Sequence, residues 1–468
     1  MRKKSILFAS ITLLAVASLA QAYQSDEESA KVDELFAQWN KPDSPGAAVG
    51  VIKDGEVVLL RGYGCANLEY SVKLTPSTVF DLASVSKQFC ALAIMTLVDE
   101  GKLSLDDDIH KHIPEVPDFG KVITIRHLLH HTSGLRDWPV NLAIGGWRMD
   151  DVIAFEQILR MVGHQQDLNF DPGDEYTYSN TGYNLLAETV ARVSGKSFRA
   201  YCDEKIFKPL GMNNTHFHDD HAEIVPNRAY SYYENDGGGY SKGVENLTAL
   251  GSSSLYSTVE DMMKWLLNFE TGAVGGPGVL ERMSERGVLN SGEQTTYAWG
   301  LVVGDFKGLR YVTHGGSWAG FRTDLIYSPD VHVGVVVLCN LGSMRAGMLS
   351  RRVGEIYLGA EPSVEQPRQE EPEPAPFDID PAALAEYAGT YYSPELDTSY
   401  KIAVEGGRLK AVHIRHSDQW LTPTDKDRFE GGAWWFNDIL FSRDDGGNIT
   451  GLTVTNMPRV RNVKFIRK

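Results

Sequence analysis

Apolar and polar positions follow two rhythms along this chain of 468 residues. Residues 46–60 carry Ala-Ala-Val-Gly-Val-Ile, then Lys53-Asp54-Gly55, then Val-Val-Leu-Leu, which predicts a hairpin of two buried strands. Residues 86–100 are apolar and are stopped by Gly101, which predicts a buried helix. The helical period returns over 185–193 and 259–269, inside a central region of roughly 120–270 broken by Gly, Pro and Asn. Strand patterns reappear at 299–303, 309–313, 321–327 and 333–338. Strands at both ends with helices between predict an α/β (α+β) domain, an antiparallel sheet built from both ends of the chain with a helical insert packed on it.

The pattern changes twice more. Residues 361–376 are rich in Pro and Glu and almost free of apolar side chains, as expected of a semi-rigid, solvated linker. Residues 377–468 then alternate over short stretches, around Gly406-Gly407 and Gly446-Gly447 and again at 462–466, and predict a small all-β unit, an antiparallel barrel or sandwich. At the other end, Met1–Lys4 holds three positive charges, residues 5–19 are apolar or small, and Ala20-Gln21-Ala22 forms a cleavage pattern. Residues 1–22 therefore read as a secretory signal peptide, and the processed protein is expected to be periplasmic or secreted with no integral membrane segment. The expected organisation is a signal peptide (1–22), a large α/β domain (23–360), a linker (361–376) and a barrel (377–468).

Composition narrows the function. Lys and Arg number 45 against 62 Asp and Glu, a net charge of −17. This argues against a nucleic-acid partner, which requires a cationic face. The four cysteines, Cys65, Cys90, Cys202 and Cys339, have no metal-ligand spacing, and two sit in apolar runs. They are expected to be buried free thiols.

Three short elements carry chemistry. In Ser84-Val85-Ser86-Lys87 the spacing puts Lys87 one helical turn from Ser84. A desolvated lysine can take the proton of a serine hydroxyl, and the helix start offers N–H groups to an oxyanion. In Tyr178-Ser179-Asn180, at the start of a helix, the phenol near a cationic lysine could exist partly as phenolate and shuttle protons. The Asn180 amide can bond both Lys87 and a substrate carbonyl. In His314-Gly315-Gly316-Ser317, after the strand at 309–313, two glycines let a substrate backbone come close, and the Ser317 N–H can serve as a second oxyanion donor. Each element by itself also reads as an ordinary cap or turn.

Taken in order, these elements resemble the serine β-lactamase and penicillin-binding-protein superfamily, above all the branch with class C β-lactamases, DD-carboxypeptidases, D-aminopeptidases and related esterases. The S-x-x-K, Y-x-N and K/H-x-G motifs match Ser84/Lys87, Tyr178/Asn180 and His314/Gly316, and the stretches at 128–135, 209–212, 256–262 and 315–321 are also similar. The resemblance spans about residues 30–357, and the C-terminal unit is similar to lipocalin-like barrels appended to some such hydrolases. It implies an acyl-enzyme on Ser84, with Lys87 and Tyr178 as base and acid, Ser84 and Ser317 as oxyanion donors, and Asn180, His314, Gly316 and Ser317 as substrate-binding residues. It requires no cofactor and no metal. The implied substrates are small molecules or peptides, namely D-amino-acid amides and peptides or small esters. The alternatives are β-lactam hydrolysis and a non-catalytic penicillin-binding or envelope scaffold.

His314 departs from β-lactamases that carry Lys there, because histidine lacks a fixed charge to match a substrate carboxylate. Among other groupings, His216, His218 and His221 lie in an acidic loop and could hold a divalent ion, although a solvated loop explains them as well. His131 reads as a structural hydrogen-bonding residue beneath the site, Asp106-Asp107-Asp108 as a loop and cap, and Trp434-Trp435 as barrel core. The sequence leaves the oligomeric state open.

Overall fold

The computed structural model describes residues 27–306, 308–359, 377 and 379–468, so the expected signal peptide (1–22) and linker (361–376) lie outside the described residues. The central sheet has six antiparallel strands. These are β1 (Ala47–Lys53), β2 (Glu56–Tyr63), β3 (Val302–Phe306), β4 (Leu309–Trp318), β5 (Phe321–Ser328) and β6 (Val333–Cys339), in the order β3-β4-β5-β6-β1-β2. The two ends of the domain meet at β1 and β6, where Ala48 faces Leu338 and Val49 faces Val337.

Both faces of this sheet are covered, and its central strands are therefore apolar throughout. Val49, Val51, Val335 and Val337 pack against the helical residues 27–36 and helix α5 (Ala346–Leu358) through Phe36, Leu349 and Val353. The alternate side chains, Ala48, Ile52, Val336 and Leu338, face helix α4 (Val259–Thr271). Gly50 is the point of closest approach on that side, since a Cβ there would lie 2.4 Å from Val259 Cγ1.

Between the two strand groups lie helices α1 (Ser86–Asp99), α2 (Trp138–Ile144), α3 (Asn180–Ser194) and α4. Helix α1 is buried over nearly all its length, and Gly101 beyond its end adopts φ +67°, as the stop signal predicts. Two expectations are corrected. The strand expected at 299–303 begins only at Val302, because Gly300 (φ +71°) turns tightly against the backbone of Lys87 and Gln88. The strand expected to end at Thr313 runs on to Trp318, because Gly315, Gly316 and Ser317 pair with Asp324, Thr323 and Arg322 of β5.

The C-terminal unit is a closed eight-stranded antiparallel barrel from Gly389–Ser393 to Val460–Arg467. Its interior is filled by side chains including Tyr391, Tyr400, Phe429, Phe436, Phe441 and Phe465. Val140 and Ile144 of α2 join the same cluster, so the larger domain caps the barrel core. Polar contacts bind the two units as well. Tyr400 OH donates to the Ile144 carbonyl at 2.9 Å, Arg136 forms a buried ion pair with Glu395, and Asn169 Nδ2 donates to the Arg459 carbonyl at 2.8 Å. Trp435 packs against the barrel core, but Trp434 is 51% exposed and lines a groove with Trp318 and Arg322, contrary to the expectation of core for both. All four cysteines are buried and unpaired. Among the described residues no helix is long and apolar enough to cross a membrane.

Candidate active site

Ser84 sits in a short 3-10 turn (Ala83–Val85) that leads directly into α1 at Ser86. The turn is strained, because Ala83 has φ +48°, a conformation that costs a non-glycine residue about 1–3 kcal/mol. Three bonds hold it. Asp81 Oδ1 accepts the Ala83 N–H at 2.8 Å, Ser86 Oγ donates to the Ala83 carbonyl, and Thr323 Oγ1 of β5 donates to the Leu82 carbonyl at 2.8 Å.

Lys87 is fully buried. Its Nζ lies 3.2 Å from Ser84 Oγ, 2.9 Å from Asn180 Oδ1 and 2.7 Å from the Ser252 carbonyl. Burial drives its pKa well below the usual lysine range, against the pull of Asp137 and with the help of Arg459. A neutral amine has two N–H donors and one lone pair. The two shorter contacts go to oxygens that can only accept, so the lone pair is left facing the Ser84 hydroxyl. Tyr178 borders the same cleft as Ser84, and its ring lies 4.7 Å from Lys87 Nζ. Burial raises its pKa, so the phenol keeps its proton, which corrects the expectation of a partial phenolate.

Asn180 begins α3, with Ser179 at the N-cap position. Asp137 fixes it from the other side, accepting the Asn180 N–H at 2.7 Å and its Nδ2 at 3.1 Å. Asp137 is completely buried, and burial raises its pKa although Arg459, Asn180 and Lys87 all favour the carboxylate. Arg459 comes from the barrel. Its Nη1 donates to Asp137 Oδ2 at 2.8 Å, and its guanidinium lies 5.4 Å from the Tyr178 ring centre. His131, at φ +59°, accepts the Ser179 N–H on Nδ1 at 3.2 Å, the supporting role expected of it.

The opposite wall is the end of β4. Its pairing with β3 stops at Thr313, opposite Val302, so residues 314–318 pair only with β5 and keep one free edge. His314 is buried, with Nδ1 at 2.7 Å from the Gly315 carbonyl and Nε2 at 2.9 Å from the Tyr297 hydroxyl. Nδ1 therefore donates and Nε2 accepts. Burial, and then the charge of Lys87, push its pKa down to about 3, so it carries no positive charge near neutrality. Gly316 has a structural reason not seen in the sequence. A Cβ there would lie 2.2 Å from Thr323 Oγ1 and 2.3 Å from the Leu82 carbonyl, so glycine lets the strand press against the Ser84 turn.

These elements border one cleft of about 1170 Å³. It brings together Ser84, Tyr178, Asn180, His314, Gly316 and Ser317 of the residues read from the sequence, with Lys87 beneath them. It also holds arginines that sequence reading missed, namely Arg459, Arg322 and, on or beside α5, Arg345, Arg351 and Arg352, while its one acid, Asp324, is buried. Asp137 follows the Thr-Ser-Gly stretch closely and could have been marked for that reason, whereas Arg459 lies in a loop with no motif.

A serine hydroxyl set against a buried lysine, a tyrosine and an open strand edge defines a serine hydrolase. The chain belongs to the Beta-lactamase family, whose model matches residues 32–357. It is 27% identical to a D-aminopeptidase of Gluconobacter oxydans (strain 621H) over 393 residues, 83% of this chain and 70% of the relative. It is 28% identical to a D-aminopeptidase of Brucella anthropi over 329 residues, 69% of this chain and 61% of the relative. An octameric penicillin-binding protein homologue from Pyrococcus abyssi superposes with a TM-score of 0.64 at 25% identity, covering 94% of this chain and 99% of that one. A D-amino acid amidase from Ochrobactrum anthropi SV3 shares the fold, with a TM-score of 0.57 at 21% identity over 67% of this chain and 94% of its own.

Proposed function

We propose that this chain is an exported hydrolase that cleaves D-amino-acid amides and short D-peptides, or small esters, through an acyl-enzyme on Ser84. The observation that carries the chemistry is the position of the buried Lys87 Nζ, 3.2 Å from Ser84 Oγ, with its other two contacts to Asn180 Oδ1 and the Ser252 carbonyl. The names of the D-aminopeptidase relatives support the substrate class. The charged, apolar and Ala-x-Ala segments of residues 1–22 support export.

In this reading Ser84 Oγ attacks the acyl carbon as Lys87 takes its proton. The carbonyl oxygen becomes an oxyanion received by the N–H groups of Ser84 and Ser317, each such donor contributing about 3 kcal/mol. Collapse of the tetrahedral intermediate breaks the bond to the leaving amine or alcohol, which receives the proton from Lys87 by way of the Tyr178 hydroxyl. Water then repeats the sequence on the ester of Ser84 and releases the acid. Asn180 orients the lysine and the substrate carbonyl, and the free edge of β4 pairs with the substrate backbone. An uncharged His314 supplies no fixed positive charge at the position where β-lactamases carry Lys, which supports D-amides over β-lactams in this reading.

The test is hydrolysis of a D-alanyl anilide, its L-enantiomer and a short-chain nitrophenyl ester by the processed protein and by Ser84→Ala. Cleavage of the D-anilide in preference to the L-form, lost in Ser84→Ala, is expected. Cleavage of the ester alone would narrow the activity to an esterase, and turnover independent of Ser84 would overturn the reading.

A further inference from the structure

Away from the serine site, we propose that His216, His218 and Glu223 bind a divalent transition-metal ion, zinc by the type of its donors. The sequence put His216, His218 and His221 together, and the fold substitutes Glu223 for His221 as the third donor.

His216 and Phe217 form a two-residue strand paired with Tyr256 and Leu255, and the His218 N–H continues the pairing to the Ser254 carbonyl at 2.8 Å. Extended backbone directs residues i and i+2 to one side, so the two imidazoles face each other. Nε2 of His216 lies 3.4 Å from Nδ1 of His218, and Glu223 Oε2 lies 3.6 Å from that same Nδ1. All three donor atoms fall within 4.8 Å of one another. A tetrahedral zinc site with bonds of ~2.0–2.1 Å separates its ligand atoms by about 3.3–3.4 Å. Two of the three separations therefore already stand near their ligated values, and closing the third needs only a small movement of one side chain.

The donors are also held in place. The His218 ring is buried and stacks on Tyr256 at 4.3 Å and 13°. Arg199 grips both oxygens of Glu223, at 2.6 and 2.8 Å, and Asp219 takes part of its charge at 2.8 Å. A carboxylate anchored in this way keeps a lone pair for a metal, and such outer support is usual around metal ligands. His216 and Glu223 border an open groove of about 610 Å³ with Ser197, Asn214 and Thr215, which leaves room for water as a fourth ligand. Two imidazoles, one carboxylate and an open position make a zinc donor set. None of its residues lines the catalytic cleft, so the ion would tie the loop around residues 219–225 to the strand at 216–217 rather than take part in acyl transfer.

The experiment uses the full processed chain without a polyhistidine tag, stripped with chelator and titrated with zinc chloride by calorimetry. One equivalent is expected to bind at micromolar concentration or tighter and to raise the unfolding temperature, and cobalt(II) should give the strong visible absorption of a four-coordinate site. His216→Ala and Glu223→Gln should each weaken binding by roughly tenfold or more. His221→Ala should not, and Ser84-dependent turnover should persist in all three. Absence of stoichiometric binding, or an affinity unchanged in both His216→Ala and Glu223→Gln while their circular dichroism stays native, would overturn the proposal.

Discussion

Arg459 and Asp137 stand 322 residues apart in the chain and are joined by a 2.8 Å ion pair that brings the barrel into the hydrolase site. Asp137 in turn holds Asn180, and Asn180 holds Lys87, so the position of the base depends on a side chain from the other unit.

Arg459→Met should therefore act as a change in a positioning residue. It removes a cation near Lys87 and leaves the charge of Asp137 uncompensated, and both changes favour the ammonium form of the lysine. The acid limb of the pH–rate profile should move to higher pH, and kcat should fall about tenfold or more near neutrality, with Arg459→Lys keeping most of both. Steady-state rates across pH check this, and a fall in kcat with an unmoved limb would mean that Arg459 serves only to dock the barrel.

Lys87 itself sets a second expectation. Its pKa is lowered in the fold, so the basic amine is present above that depressed value and lost as the pH falls through it. Activity should rise with pH along one limb far below the ordinary lysine range. His314, at about 3, adds no limb near neutrality. Lys87→Met should abolish the limb and reduce the acylation rate by about 10²–10⁴-fold, read with a chromogenic ester in single turnover.

Gly316→Ala tests the contact between the strand edge and the nucleophile turn. The added methyl would meet the Leu82 carbonyl at 2.3 Å, and neither backbone can yield without moving Ser84. Labelling of Ser84 by a fluorophosphonate should slow by about tenfold or more, since small displacements of reacting groups are costly. Gly315→Ala, whose methyl would come no nearer than 3.4 Å to Asp324 Oδ1, should label far more nearly like the native protein.

The arginines of the cleft predict a charge preference within a net-acidic protein. Among the described residues, Arg322 is engaged by the Ala319 and Phe321 carbonyls and Arg459 by Asp137, whereas Arg351 and Arg352 are exposed on α5 without an ion-pair partner. An ester with a distal carboxylate should be hydrolysed faster than a neutral ester of equal length. Arg351→Gln with Arg352→Gln should reduce the ratio of their kcat/KM values about fivefold, as should raised salt, because exposed charges each contribute up to about 1 kcal/mol.

Much of the fold was legible because its signals are local. The apolar runs at 46–60 and 333–338 predict strands and became β1, β2 and β6, but β2, expected to be buried, is the edge strand with Val57 exposed, because among the described residues no strand covers its outer side. The spacing of Ser84 and Lys87 keeps them together whatever surrounds them, since one helical turn spans it. Gly315 and Gly316 were legible as a place where a substrate backbone comes close, but the extent of the free edge at residues 314–318 was not, because it depends on β5 lying beside it and β3 stopping short. Trp434 read as core because hydrophobicity does not say which way a side chain faces near a tight turn.

The sequence by itself thus determined the class of chemistry, the order of its motifs and the two-part architecture, because periodicity and short spacings specify contacts within a turn or a strand. Only the tertiary structure decided that burial keeps the Tyr178 phenol protonated and His314 uncharged, the pairing of Asp137 with Arg459, and the choice of Glu223 over His221 beside the paired histidines. Each of these depends on desolvation or on charges delivered by segments far away in the chain, and no local pattern encodes what the rest of the fold will bring to a buried site.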